Sequence, residues 1–125
     1  MLIIISFIIV AISTIFVPVA STKWAILAPI MVPMFMQNSF TAEYAQAVFR
    51  AGNSAVMGIT PLFSYFVVLI GFLQIYRKKN KTVTILDTMS LMAPYTIAYT
   101  ILWLIIVIAF YILSIPLGVG TSVML

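Results

Sequence analysis

The chain has 125 residues, 65% of them hydrophobic and 6% charged, with six basic and two acidic side chains for a net charge of +4. A soluble domain carries roughly 45–50% apolar and about 25% charged residues, and disorder needs the opposite bias, so both are excluded and lipid is left as the solvent. Without Cys or His there is no disulfide framework, no thiolate or imidazole metal site and no imidazole base.

The first apolar run, residues 2–17, is a strong helix former that stops at Pro18. Pro18 to Lys23 reads as a turn, and a second apolar piece, residues 24–36, follows at once. That piece is shorter than the about 20 residues a span needs. Two apolar arms around a short polar tip predict a helical hairpin over residues 1–36 that dips into the membrane and returns, with its irregular backbone buried in protein or lining a wet cavity. Residues 37–50 are more polar, with Tyr44, Ala45, Val48 and Phe49 at helical spacing and Thr41 placed as an N-cap. They predict an interfacial helix.

Residues 51–76 are long enough to span but contain Gly52, Asn53, Ser54, Gly58, Thr60 and Pro61 in their first half. Proline lacks an N–H and clashes with the carbonyl four residues back. The segment therefore predicts a discontinuous helix, either unwound around Asn53–Thr60 or kinked there. The cluster Arg77, Lys78, Lys79, Lys81 opens a loop and short helix over 77–91. Beside a long apolar run it marks a cytoplasmic loop at 77–81, not a track for nucleic-acid phosphates. On that orientation the Asn80-Lys81-Thr82 sequon is not used, and Asp87 is an interfacial acid. Residues 92–125 give the last span and a tail, with Tyr95, Tyr99, Trp103 and Tyr111 as interface or helix-contact aromatics. The predicted fold is an all-α integral membrane protein made of a re-entrant hairpin, a broken transmembrane helix and a final transmembrane helix.

A hairpin tip and a broken helix in one small membrane domain form the pattern of secondary transporters. Half-helix ends and free carbonyls there meet substrate and coupling ions. Lys23 is costly inside a membrane unless it has a partner or a wet cavity; otherwise it snorkels from a shallow turn. Arg50 precedes the broken helix, as a site residue or an anchor paired with Glu43. Trp24 is an interface residue or an aromatic wall. A membrane enzyme using Ser21 with Lys23 lacks any oxyanion-hole signature, so no enzyme activity is expected. A stand-alone structural or pore-forming membrane protein, or an inactive transporter remnant, is the alternative reading.

The stretches PVASTKWAILAPIMVPMFM (18–36), EYAQAVFRAGNS (43–54) and ITPLFSYF (59–66) resemble the C-terminal part of the aminobenzoyl-glutamate transporter (AbgT) family over nearly the whole chain. The run from Ser21 to Met36 is the most specific. The resemblance implies an inverted-repeat secondary transporter of the inner membrane, several times longer than this chain and dimeric. The 125 residues are then expected to be its C-terminal piece. It implies transport of p-aminobenzoyl-glutamate or export of sulfonamide antimetabolites, driven by an H+ or Na+ gradient, with no cofactor and no metal site. Ser21 and Trp24 match the family's hairpin residues on the substrate path, Arg50 its arginine and Pro61 its proline. The family's acid in R-x-G-D-S is Asn53 here, and its following S-T-N-I is Ala55-Val56-Met57-Gly58. Such a ligand, an aromatic dicarboxylate, suits Arg50 as a bidentate partner, Lys23 as a point charge and Trp24 as a stacking face. Asn53, with Thr22, Ser54 and Thr60, would supply hydrogen bonds or ion-coordinating oxygens. The other partners expected are the lipid bilayer and the remainder of the transporter.

Overall fold

A computed structural model describes residues 1–77 and 82–124. The described residues form five helices and no strand: α1 (Leu2–Phe16), α2 (Ala20–Met36), α3 (Ala42–Val56), α4 (Ser64–Tyr76) and α5 (Ile85–Ile112). Residues 78–81, which hold most of the expected cytoplasmic marker and the start of the sequon, lie outside the description.

Val17 ends α1 in an extended conformation (φ −126°, ψ 92°), as the residue before a proline prefers. The chain turns through Pro18 and resumes as α2 at Ala20. The expected turn is therefore shorter than the sequence suggests. Ser21, Thr22 and Lys23 belong to the first turn of α2, not to a loose polar tip. Pro29 and Pro33 lie inside α2 without interrupting it.

Thr41 caps α3 as expected, its side chain accepting from the Tyr44 N–H. The helix then runs without a break through the boundary expected between residues 50 and 51. Tyr44, Ala45, Val48, Phe49, Gly52, Asn53, Ala55 and Val56 are all buried. They continue one apolar stripe at helical period, so nothing ends the helix at Arg50. Asn53 is helical, and the expected unwinding at Asn53–Thr60 is displaced. The helix leaves off after Val56 and restarts at Ser64. Pro61 explains the position, since its ring opposes the carbonyl of Met57.

The last element also differs from expectation. Thr84 and Asp87 form a capping box, and from it α5 continues for 28 residues through Pro94, with no separate short helix before the apolar part. Asp87 also pairs with Arg77 at 2.8 Å on the surface. At about 1.5 Å per residue α5 is roughly 42 Å long, and it is the one described helix long and apolar enough to cross a membrane. The apolar helices α1, α2 and α4 are shorter.

The core gathers around α3, which packs on α1, α2 and α5. At the α1–α3 crossing, a Cβ added to Gly52 would lie 2.9 Å from the Phe7 carbonyl oxygen and 3.2 Å from Val10 Cβ. Glycine alone permits this approach. The tail returns to the start of α3: Thr41 Oγ1 donates to the Ser122 carbonyl at 2.7 Å, Phe40 bridges Met124 and Val123 is buried. Tyr111 joins this junction, 5.4 Å from Phe40, and Tyr44 Oη donates to the Val107 carbonyl. Elsewhere large apolar side chains are outward: Ile5, Ile8 and Ile12 on α1, Val67 and Phe72 on α4, Ile97, Ile101 and Ile105 on α5. Surfaces of that kind meet hydrocarbon or further protein, not water.

Gly52→Val forces Phe7 and Val10 outward. It is expected to cost about 1–3 kcal/mol of stability, read as a lower melting temperature in detergent. An unchanged melting temperature contradicts the close α1–α3 contact.

Candidate functional site

The first turn of α2 and the middle of α3 face each other across a cleft of 390 Å³ lined by Ala20, Ser21, Trp24, Gln46, Phe49 and Arg50. Helical spacing brings Gln46 and Arg50 to one face, because residues four apart are neighbours. Trp24 and Phe49 meet with ring centroids 4.8 Å apart and planes tilted by 53°, a tilted aromatic contact that forms one wall of the cleft. Val19 gives α2 no side-chain cap, so the amides of its first turn have no partner within the helix. Together with the Arg50 guanidinium they make the cleft attractive to an anion.

Lys23 is buried, at 3% exposure, and does not line this cleft. It folds back across the turn and donates a close hydrogen bond to Thr14 Oγ1 on α1. It also lies 5.9 Å from the centre of the Phe49 ring, within cation–π reach. Thr14 in turn donates its hydroxyl hydrogen bond to the Val10 carbonyl at 2.7 Å. Thr60, fully buried in the break between α3 and α4, donates to the Val56 carbonyl at 3.1 Å and reaches the Thr14 carbonyl at 3.4 Å. One polar thread thus ties the hairpin turn to the helix break. Lys23 engages Thr14, and the Ser21–Lys23 pairing weighed for an enzyme is not formed.

The remaining candidates divide. Asn53 is 5% exposed and its Oδ1 has no partner, so it is an orphan acceptor inside α3. Ser54 faces a different cleft, of 240 Å³, with Tyr95, Thr96 and Tyr99 of α5. Pro61 sits in the break, half-buried, and Thr22 is exposed; neither lines the cleft of Ser21, Trp24 and Arg50. Sequence reasoning misses Gln46, Phe49 and Thr14. Gln46 carries a weak signal, a polar side chain four residues before Arg50 on one helix face.

Residues 1–125 match the family model of the AbgT transporter family. Over 105 residues the chain is 37% identical to the p-aminobenzoyl-glutamate transport protein of Escherichia coli strain K12, covering 84% of this chain and 20% of that protein. The fold is similar to the crystal structure of the Alcanivorax borkumensis YdaH transporter, described as having an unusual topology. The TM-score is 0.85 at 32% identity, over 94% of this chain and 24% of that one. The chain therefore spans about a fifth of the first relative and about a quarter of the second.

The buried thread predicts an asymmetry between its two ends. Lys23→Met removes a buried charge that has no carboxylate partner among the described residues, and Thr14 keeps its bond to Val10. The melting temperature is expected to hold or rise. Thr14→Val strands the ammonium and is expected to cost about 1–3 kcal/mol. Thermal melts of both variants check this, and a large loss for Lys23→Met contradicts it.

Proposed function

The chain belongs to the AbgT transporter family, a family of membrane transport proteins, and from that premise we propose that it forms a substrate-binding module of a secondary transporter for aromatic dicarboxylates of the p-aminobenzoyl-glutamate type. The observation that carries this reading is the convergence of Ser21, Trp24 and Arg50 on one cleft. Trp24 and Phe49 offer a face for a benzoyl ring. Arg50 takes a carboxylate through two parallel N–H bonds. Ser21 and the first-turn amides of α2 stabilise the same negative charge.

In this reading α1 and α2 form a re-entrant hairpin, α3 and α4 are the two halves of a discontinuous span, and α5 is the last span. The length of α5 and the shortness of the other apolar helices support the assignment. The loop at 77–81 is cytoplasmic on the positive-inside rule, in a multi-pass inner-membrane protein. Discontinuous helices place partial charges of helix ends beside substrate, and alternating access moves one bundle against another around that site. The Lys23–Thr14–Thr60 thread keeps the hairpin turn seated on the break, so Trp24 and Arg50 stay opposed.

Uptake of labelled p-aminobenzoyl-glutamate into proteoliposomes of the intact protein tests the proposal. Arg50→Ala is expected to weaken apparent affinity by roughly tenfold to a hundredfold, and Arg50→Lys, which keeps charge but not the fork, to fall between. Uptake by Arg50→Ala at the parent level removes Arg50 from the site.

A further inference from the structure

Lys23 is the one charged side chain that is buried among the described residues, and the proposed binding mode leaves its charge unused. Its seat on Thr14 does not call for a charge either, since a buried ammonium facing a neutral hydroxyl costs free energy instead of supplying it. We infer that Lys23 is a proton site linked to the cleft: it takes up a proton when an anionic ligand binds and gives it back when the ligand leaves. The inference rests on the reading that the cleft of Ser21, Trp24 and Arg50 receives a carboxylate.

The surroundings of Lys23 suit both protonation states. Lysine, unlike arginine, is able to release its proton in a buried seat, and no carboxylate holds that proton in place. The acidic side chains of the chain are Glu43 and Asp87. Asp87 pairs with Arg77 at the α4–α5 turn, and Glu43 is exposed, two turns before Arg50 on α3. Neither α1 nor α2 holds another ionisable side chain, and the amino terminus is at the opposite end of α1 from Thr14. From α3 the ammonium meets Phe49, with Arg50 next in the chain and Tyr44 turned away to the Val107 carbonyl. The break contributes Thr60, a neutral hydroxyl. The direct partner, Thr14, is able both to donate and to accept. It accepts from the ammonium and donates to the Val10 carbonyl. Against a neutral amine it turns and donates to the nitrogen lone pair, while the Val10 carbonyl keeps the Ser13 hydroxyl at 2.8 Å. Neither state strands a buried group.

Coupling to the ligand follows from position. Trp24, next to Lys23 in the chain, and Phe49, whose ring centre is 5.9 Å from the ammonium, both line the cleft. The proton therefore lies one side chain away from the anion. Across that apolar wall a negative ligand and a positive Lys23 attract, so each strengthens the binding of the other by the same factor. In the step itself the amine lone pair takes H+ from hydronium, one N–H bond forms, water is left behind and no other bond changes. At 3% exposure Lys23 is sealed in this state. A proton carrier needs that seal, because exchange with water belongs to the moved states of alternating access, and a seat open throughout would leak. Ligand and proton then travel together, in the same direction.

Binding of p-aminobenzoyl-glutamate to the intact protein tests the link, measured by calorimetry in buffers of unlike ionisation enthalpy from neutral to mildly alkaline pH. The ligand's own carboxylates stay ionised throughout that range. The parent is expected to take up a proton on binding and to lose about tenfold in affinity as pH rises through the titration of Lys23. Lys23→Arg, permanently charged, is expected to keep the tight affinity at every pH and Lys23→Met to stay at the weak one, with no proton uptake by either. Ligand binding by the parent without proton uptake overturns the proton site and leaves the cleft standing. A parent-like pH dependence in either variant overturns it too, and so does loss of binding in both, which makes Lys23 a prop of the cleft. Should Lys23→Arg fail to fold, Lys23→Met decides alone. If the parent protein binds p-aminobenzoyl-glutamate at no pH, the aromatic dicarboxylate reading fails and the link falls with it.

Discussion

The seat of Lys23 is the constraint that sets which way the hairpin turn faces, a constraint on direction and not a source of stability. An ammonium in an apolar chain has to reach an acceptor, and at the turn between α1 and α2 it reaches the Thr14 hydroxyl. Meeting that need folds the start of α2 back onto α1 and places the ammonium over the Phe49 ring. The neighbours of Lys23 on the first turn then point the other way. Ser21 and Trp24 look across to α3, where Phe49 and Arg50 complete the cleft. A single buried charge therefore sets which side chains of the hairpin face the cleft.

The second determinant is α3, the helix against which the others are placed. Its approach to α1 at Gly52 fixes the depth of the hairpin beside it, and its end, set by Pro61, leaves Thr60 to tie the break to the hairpin. Its opposite end is closed by the tail through Thr41. Between these two anchors one face presents Glu43, Gln46 and Arg50 in sequence, with the hairpin on one flank and the tail on the other. Two clefts sharing the same pair of side chains follow from this arrangement.

Much of the frame is legible in the residues. Pro18 marks the hairpin turn because it fixes its own φ and keeps Val17 out of the helical region. Thr41 signals the start of α3, and Pro61 marks the break between α3 and α4. The family is legible in the Ser21–Met36 run, and the match along residues 1–125 shows it. What is not legible depends on tertiary contact. Gly52 and Asn53 suggest a weak helix on propensity, yet α3 continues through them, with α1 packed closely on Gly52 and Asn53 buried. Lys23 reads as a ligand-facing charge, yet its direction is decided by Thr14, nine residues earlier. Gln46 reads as the polar side of a surface helix, and only the docking of α2 and the tail makes it part of two clefts. Pattern records which face of a helix is apolar, but not what comes to rest beside the polar one.

The most direct measurement uses the absence of native cysteine. With Ser21→Cys and Gln46→Cys introduced together into the intact, membrane-embedded protein, a short bismaleimide should join the two across the cleft. Added p-aminobenzoyl-glutamate should protect the pair from cross-linking, whereas glutamate alone should protect it far less. Failure to cross-link, or cross-linking that proceeds equally with and without p-aminobenzoyl-glutamate, contradicts a ligand cleft between the hairpin turn and α3.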